Sequence, residues 1–138
     1  MTRLILDQES MGLCLLMERI TKAKVKDCFK DEEGTVYFVV GKGEFGKAVG
    51  KAGSSIKNVQ QELGRKVKVI EYSDSVTEFI RNIIYPLTAA EIVEDNGLIS
   101  IKEPYKKAKS LLIGRGGKNI KLINRAVKRF FNYEVKVV

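Results

Sequence analysis

Apolar side chains recur at Leu13, Leu16, Met17 and Ile20, the i, i+3, i+4, i+7 spacing of a helix with one apolar face, and Ser10 stands before them as an N-cap. Val76, Phe79, Ile80, Ile83 and Ile84 repeat the spacing, with a capping-box pattern at Ser75 and Glu78 and a stop at Pro86. After each helix the pattern turns β-like. Runs at 24–30 and 35–40 flank Asp31-Glu32-Glu33-Gly34, and runs at 87–93 and 98–102 flank Glu94-Asp95-Asn96-Gly97. The glycine closing each acidic turn permits positive φ, so both pairs read as hairpins. Further helices follow, with inward faces at Ile56, Val59 and Leu63 and at Ile120, Ile123, Val127 and Phe130. The β-like runs KVKVI (66–70) and EVKVV (134–138) come last.

The two halves are copies. Val49-Gly50-Lys51-Ala52-Gly53-Ser54-Ser55-Ile56-Lys57 aligns with Ile113-Gly114-Arg115-Gly116-Gly117-Lys118-Asn119-Ile120-Lys121 at an offset of 64 residues. Each half reads helix, strand, strand, helix, GxxG, helix, strand. Four extra residues separate the loop from the last strand in the second copy, about one more helical turn. The joint falls near Tyr72 to Ser75 and contains no glycine or proline. This predicts two small domains, 1–72 and 73–138, with marginal separate cores and packed together as one rigid unit.

Charge changes the picture because it follows the same division. Residues 41–70 carry a net +5 and residues 102–138 a net +9, whereas 1–40 and 71–101 carry −1 and −5. Concentrated Lys and Arg point to a polyanionic partner. The 138 residues contain no histidine, which removes Ser–His and Cys–His nucleophilic pairs and most protein zinc sites. Carboxylate and lysine chemistry stay open, but no catalytic residue, metal or cofactor is expected. Cys14 and Cys28 form no CxxC and suit two thiols in a reducing cytoplasm. The longest nonpolar run, Met11 to Met17, is too short to span a bilayer, and the opening apolar run breaks at Asp7, unlike a cleaved signal peptide.

The stretch GKGEFGKAVGKAG, Gly41 to Gly53, fits three glycine-loop motifs at once. A kinase nucleotide loop would need catalytic segments and a longer chain. A Walker A would need Ser or Thr where Ala48 stands. Only the GxxG at Gly50 to Gly53 recurs in the second half, so Gly41, Gly43 and Gly46 are assigned to the turn from strand into helix. A GxxG at a helix start lets backbone approach phosphates and aims N–H groups at an anion. Lys51 and Arg115 add charge there. Lys118, Lys121, Arg125 and Lys128 fall on one helix face as a basic stripe.

The paired V/I-G-x-x-G-x-x-I-K loops within these units resemble KH domains of the type II topology. Two fused without a flexible linker look like the KH pair of the NusA family in its short archaeal form. The resemblance covers nearly the whole chain. It implies an α+β fold of two tandem type II KH domains, each α-β-β-α-α-β with a three-stranded mixed sheet packed against helices. It also implies a non-enzymatic, cytoplasmic protein that binds single-stranded RNA in transcription termination or antitermination. RNA polymerase or other transcription factors would be further partners, and a membrane would not. The N-terminal polymerase-binding and S1 domains of bacterial members do not fit within this length. The clamps would be Gly50, Lys51, Ala52 and Gly53, and Gly114, Arg115, Gly116 and Gly117. Each would grip about four nucleotides. Lys47, Lys57, Lys118 and Lys121 are phosphate-contact candidates by charge and proximity, and Gly116 is expected to make the second loop more pliable. A KH-type ribosomal or ribosome-assembly RNA-binding protein is the alternative reading, and single-stranded DNA and anionic lipid are the alternative targets.

Overall fold

The first helix starts earlier than its periodicity suggests. The computed structural model describes residues 7–138, and α1 (Gln8–Thr21) is capped by Asp7 rather than Ser10. The Asp7 carboxylate accepts from the Ser10 N–H at 2.7 Å, so the serine expected to be the cap lies inside the first turn. The start of the chain, read above as unlike a signal peptide, lies largely in residues 1–6, outside the described residues. The helix ends where Lys22 adopts left-handed geometry (φ 64°) and returns its N–H to Glu18. Thr21 Oγ1 closes the last turn by donating to the Met17 carbonyl at 2.7 Å.

The described chain divides into two compact units, the first reaching Ser73 and the second running Asp74–Val138. In the first, β1 (Val25–Lys30) and β2 (Val36–Val40) form an antiparallel pair, and β3 (Val67–Glu71) joins β2 in parallel. Between β2 and β3 run α2 (Phe45–Val49), the GxxG turn and α3 (Ser54–Leu63). The second unit repeats this plan with α4 (Val76–Ile84), β4 (Glu91–Asp95), β5 (Leu98–Lys102), α5 (Lys106–Ile113), α6 (Lys118–Phe130) and β6 (Glu134–Val137). Its sheet order is β4-β5-β6, again antiparallel then parallel. Both units thus have the order of elements that the repeat predicts and the mixed three-stranded sheet that the resemblance implies. No helix among the described residues is long and apolar enough to cross a membrane.

The core of the first unit gathers Cys14 and Met17 of α1 and Val59 of α3 with Cys28, Val36, Phe38, Val40, Val67 and Val69 of the sheet. Cys14 and Cys28 are free and buried. Hydrogen bonding to Cys28, followed by burial, pushes the Cys14 thiol far above its usual range, so it remains protonated. In the second unit Phe79 of α4 is fully buried and meets Phe130 edge-on at 5.6 Å. Ile99, Ile101, Ile123, Val127 and Val135 are buried around the sheet and α6.

The copies close their hairpins differently. Asp31 organises the first turn, its Oδ1 accepting from Glu33 and Thr35 N–H at 2.9 and 3.0 Å and its Oδ2 from the Tyr37 hydroxyl at 3.0 Å. The second is a two-residue turn, Asn96 (φ 49°) and Gly97 (φ 82°), with Asp95 paired to Leu98. Such a turn requires regular pairing up to its edge. The strand therefore occupies 91–95 rather than the expected 87–93, and Glu94 and Asp95 belong to it. The four extra residues of the second copy are present, and three of them lengthen the helix. Val135, tied to Asn124, matches Val67, tied to Gln60, at an offset of 68 rather than 64. α6 has 13 residues against 10 for α3, because left-handed Gly64 ends the shorter helix while Phe131 follows the longer in extended geometry.

One device recurs at the same offset and gave no periodic signal. The Asn124 amide donates to the Val135 carbonyl and accepts from the Val135 N–H, both at 2.8 Å, tying α6 to β6. Gln60 accepts from the Val67 N–H at 3.1 Å and ties α3 to β3. Truncating Asn124 leaves two strand groups without their partner and truncating Gln60 leaves one. Asn124→Ala should cost about 1–3 kcal/mol and Gln60→Ala about half as much, measured by urea denaturation.

Candidate nucleic-acid interface

The two GxxG loops have the same backbone. Gly50 and Gly114 sit at φ/ψ of 78/170° and 77/165°, a region open in practice only to glycine. The third positions, Ala52 and Gly116, are left-handed at 53/28° and 64/20°. Gly53 and Gly117 follow at 76/15° and 77/17° and open α3 and α6. Each loop is one tight turn, closed by Gly53 N–H to the Gly50 carbonyl and Gly117 N–H to the Gly114 carbonyl, both 3.1 Å.

The glycines of each loop are not equivalent. A Cβ on Gly50 would stand 2.7 Å from the Ser55 backbone nitrogen and closer still to its hydroxyl. On Gly114 it would stand 2.8 Å from both the backbone nitrogen and Cγ of Asn119. The first glycine is therefore excluded from change by geometry and by lack of space. On Gly53 and Gly117 a Cβ would meet nothing nearer than 3.9 and 3.7 Å, so only the backbone strain argues for glycine there. Ser55 and Asn119, which pack on the first glycine, were not singled out by sequence reasoning. Their signal was a small polar residue two places after each second glycine. Asn119 also donates to the Leu111 carbonyl at 2.8 Å, tying the loop to the end of α5.

The expectation that Gly116 makes the second loop more pliable changes form. Both third positions hold the same left-handed conformation, which Gly116 adopts without steric cost and Ala52 adopts against its Cβ. Gly46 also departs from expectation, lying inside α2 rather than in the turn that precedes it. That turn is closed by Glu44 N–H to the Gly41 carbonyl at 3.0 Å, with Gly43 at φ 80°.

The expected cations separate into two kinds. Lys51, Arg115, Lys57, Lys118 and Lys121 are all exposed on the loops or the first turns after them. Lys57 runs back toward its loop, its Cε 3.9 Å from where a Gly53 Cβ would be. Lys47 is exposed but stands 3.4 Å from the Glu44 carboxylate. Glu44 itself is held below the usual carboxylate range, first by the Lys24 backbone N–H at 2.8 Å and then by Lys47. Part of the Lys47 charge is thus spent locally. The helix before each loop exposes one apolar residue, Phe45 at 37 % on α2 and Leu111 at 52 % on α5. Lys118 and Lys121 lie at the positive end of the α6 dipole with no acidic residue in that turn, an arrangement that favours an anion more than it favours the helix.

A helix-flanked mixed sheet with a glycine turn presented between two helices defines the KH class, and a family model described as KH domain matches residues 15–103. The relatives narrow this further. A probable transcription termination protein NusA of Methanococcus vannielii is 35 % identical over 121 residues, covering 86 % of this chain and 69 % of that protein. Its namesake in Methanocaldococcus jannaschii is 31 % identical over 132 residues, covering 94 % and 72 %. That of Thermoplasma acidophilum is 29 % identical over 135 residues, covering 96 % and 93 %. The crystal structure of APE1850 superimposes with a TM-score of 0.79 at 28 % identity, covering 96 % of this chain and 100 % of its own. The chain belongs to the KH-domain family, in its archaeal NusA-like group.

The loop geometry sets an order of substitution costs. Gly114→Ala should destabilise by about 3 kcal/mol or more, since strain and overlap combine. Gly116→Ala and Gly117→Ala should each cost about 1 kcal/mol from strain alone. Ala52→Gly should stay within about 1 kcal/mol of wild type, on the stabilising side. Thermal and urea denaturation would read the series, and equal costs at Gly114 and Gly117 would contradict the packing argument.

Proposed function

We propose that this protein binds single-stranded RNA through its two GxxG loops and acts in transcription termination or antitermination. The observation that carries the reading is the same loop, built twice at the start of a helix, with basic side chains exposed at each. RNA phosphates fit there because the first glycine brings backbone close, the tip projects Lys51 or Arg115, and the helix start supplies N–H groups. Lys57, Lys118 and Lys121 extend the positive field. Lys47 contributes less, since Glu44 shares its charge. Phe45 and Leu111 offer apolar surface on which an unstacked base can rest.

The names of the archaeal relatives place them in transcription termination, and they carry that role to this chain as part of the proposal. RNA polymerase or another transcription factor is the protein partner that such a role requires, and the cytoplasm is where it would act. The function is one of binding rather than catalysis. Only residues 72–75 lie between β3 and α4, and the proposal includes the two units acting as a rigid pair that engages one strand of roughly eight nucleotides.

Lys51→Asp with Ala52→Asp should weaken binding of single-stranded RNA about tenfold or more while circular dichroism stays unchanged. Aspartate tolerates the left-handed geometry of position 52 better than most residues, so the fold is expected to survive. Arg115→Asp with Gly116→Asp makes the same test of the second loop. In the wild-type chain log affinity should fall with log salt, with a slope of about −0.7 per phosphate engaged. Unchanged affinity at low salt in both loop variants, with intact structure, would sink the assignment.

A further inference from the structure

We propose that the outer face of α6 is a further stretch of RNA-binding surface that continues from the second loop and is absent from the first unit. The proposal rests on reading the loops as RNA clamps. Lys118, Lys121, Arg125 and Lys128 are the exposed residues of α6, and all four are cations. The face opposite them buries Ile123 and Val127. From Lys118 to Lys128 the helix rises about 15 Å, so the charge continues well past the turn that touches the loop.

Comparison of the copies sharpens the point. The positions 64 residues earlier are Ser54, Lys57, Gln61 and Gly64, so three of the four cations have no charged counterpart. α3 carries one lysine and one glutamate, whereas α6 carries five cations and no acidic residue. The folds agree, and the loops agree in backbone angles; the charge of this face does not. The spacing of these charges along the helix does not favour it. Lys118 and Lys121, Lys121 and Arg125, and Arg125 and Lys128 are like charges at i, i+3 or i, i+4 spacing, where they repel. A phosphate backbone laid along the face relieves that repulsion and releases counterions. A helix that inserts into a lipid surface shows apolar residues beside its cations, and the exposed side of α6 has none. RNA is the polyanion this face fits. The second unit would then hold a longer segment than the first.

The test measures binding of the full chain to single-stranded RNA oligonucleotides of about four to about twelve nucleotides, each over a range of salt. Arg125→Gln with Lys128→Gln should lower the steepness of the log affinity against log salt plot by about 1.4 on the longer oligonucleotides, and leave the shortest nearly unaffected. Lys128→Gln alone should lower it by about 0.7, with every Arg125 interaction intact. The proposal is overturned if the double variant keeps the wild-type slope and affinity at every length while Arg115→Asp with Gly116→Asp loses binding. In that case the loop reading stands without the extended face. If neither variant changes binding, the loop reading falls with it. Capture of phosphatidylserine vesicles that depends on Arg125 and Lys128, beside an unaltered RNA slope, would also overturn the proposal.

Discussion

A missing Cβ at Gly50 and Gly114 is the constraint on which the rest of each unit turns. The first turn of the following helix comes so near that its backbone nitrogen would lie 2.7 or 2.8 Å from any side chain placed there. That approach lets one helix end and the next begin with only four residues between them. It also leaves the tip, Lys51-Ala52 or Arg115-Gly116, exposed. The apolar faces of α3 and α6 then determine where the tip points, because Val59 and Ile123 must be buried. Core packing and the exposure of the loop tip are thus joined through one atom that is absent.

The duplication shows which features this constraint protects. The loop angles agree to within about ten degrees at nearly every position, and the amide ties at Gln60 and Asn124 stand at matching places. Features remote from the loop have drifted. One hairpin turns on Asp31 and the other on Asn96-Gly97, α5 is three residues longer than α2, and the helix charges differ widely. Backbone identity is thus kept where a Cβ has no room, and the copies differ where the chain has more freedom.

Much of this was legible in the sequence for a physical reason. Helices with sustained apolar periodicity, such as Val76 to Ile84, and glycines at fixed offsets leave signals that depend on no other part of the chain. The misreadings involve competition between local options. Asp7 and Ser10 can each cap a helix, and only the geometry of the first turn decides between them. Residues 87–90 look β-like but lie outside the ladder, since the turn fixes pairing from its own end. Asn124 acts through hydrogen bonds to a strand brought beside it by folding, so nothing in its neighbours announced it. Ser55 and Asn119 left only their place two residues after the second glycine. The similarity of Ala52 to Gly116 was hidden because residue type and backbone angle disagree there.

The amide ties have a consequence for how these sheets meet other chains. A strand at the border of a sheet ordinarily offers unpaired N–H and C=O groups that invite another strand. On β6 the N–H and C=O of Val135 are already taken by Asn124, and on β3 the Val67 N–H is taken by Gln60. An incoming strand would have to displace a hydrogen-bonded side chain before gaining its own bonds. The helix that presents the loop also acts as a stopper on the parallel border of its sheet. Strand addition there is disfavoured by the same residues that hold the helix after the loop in place.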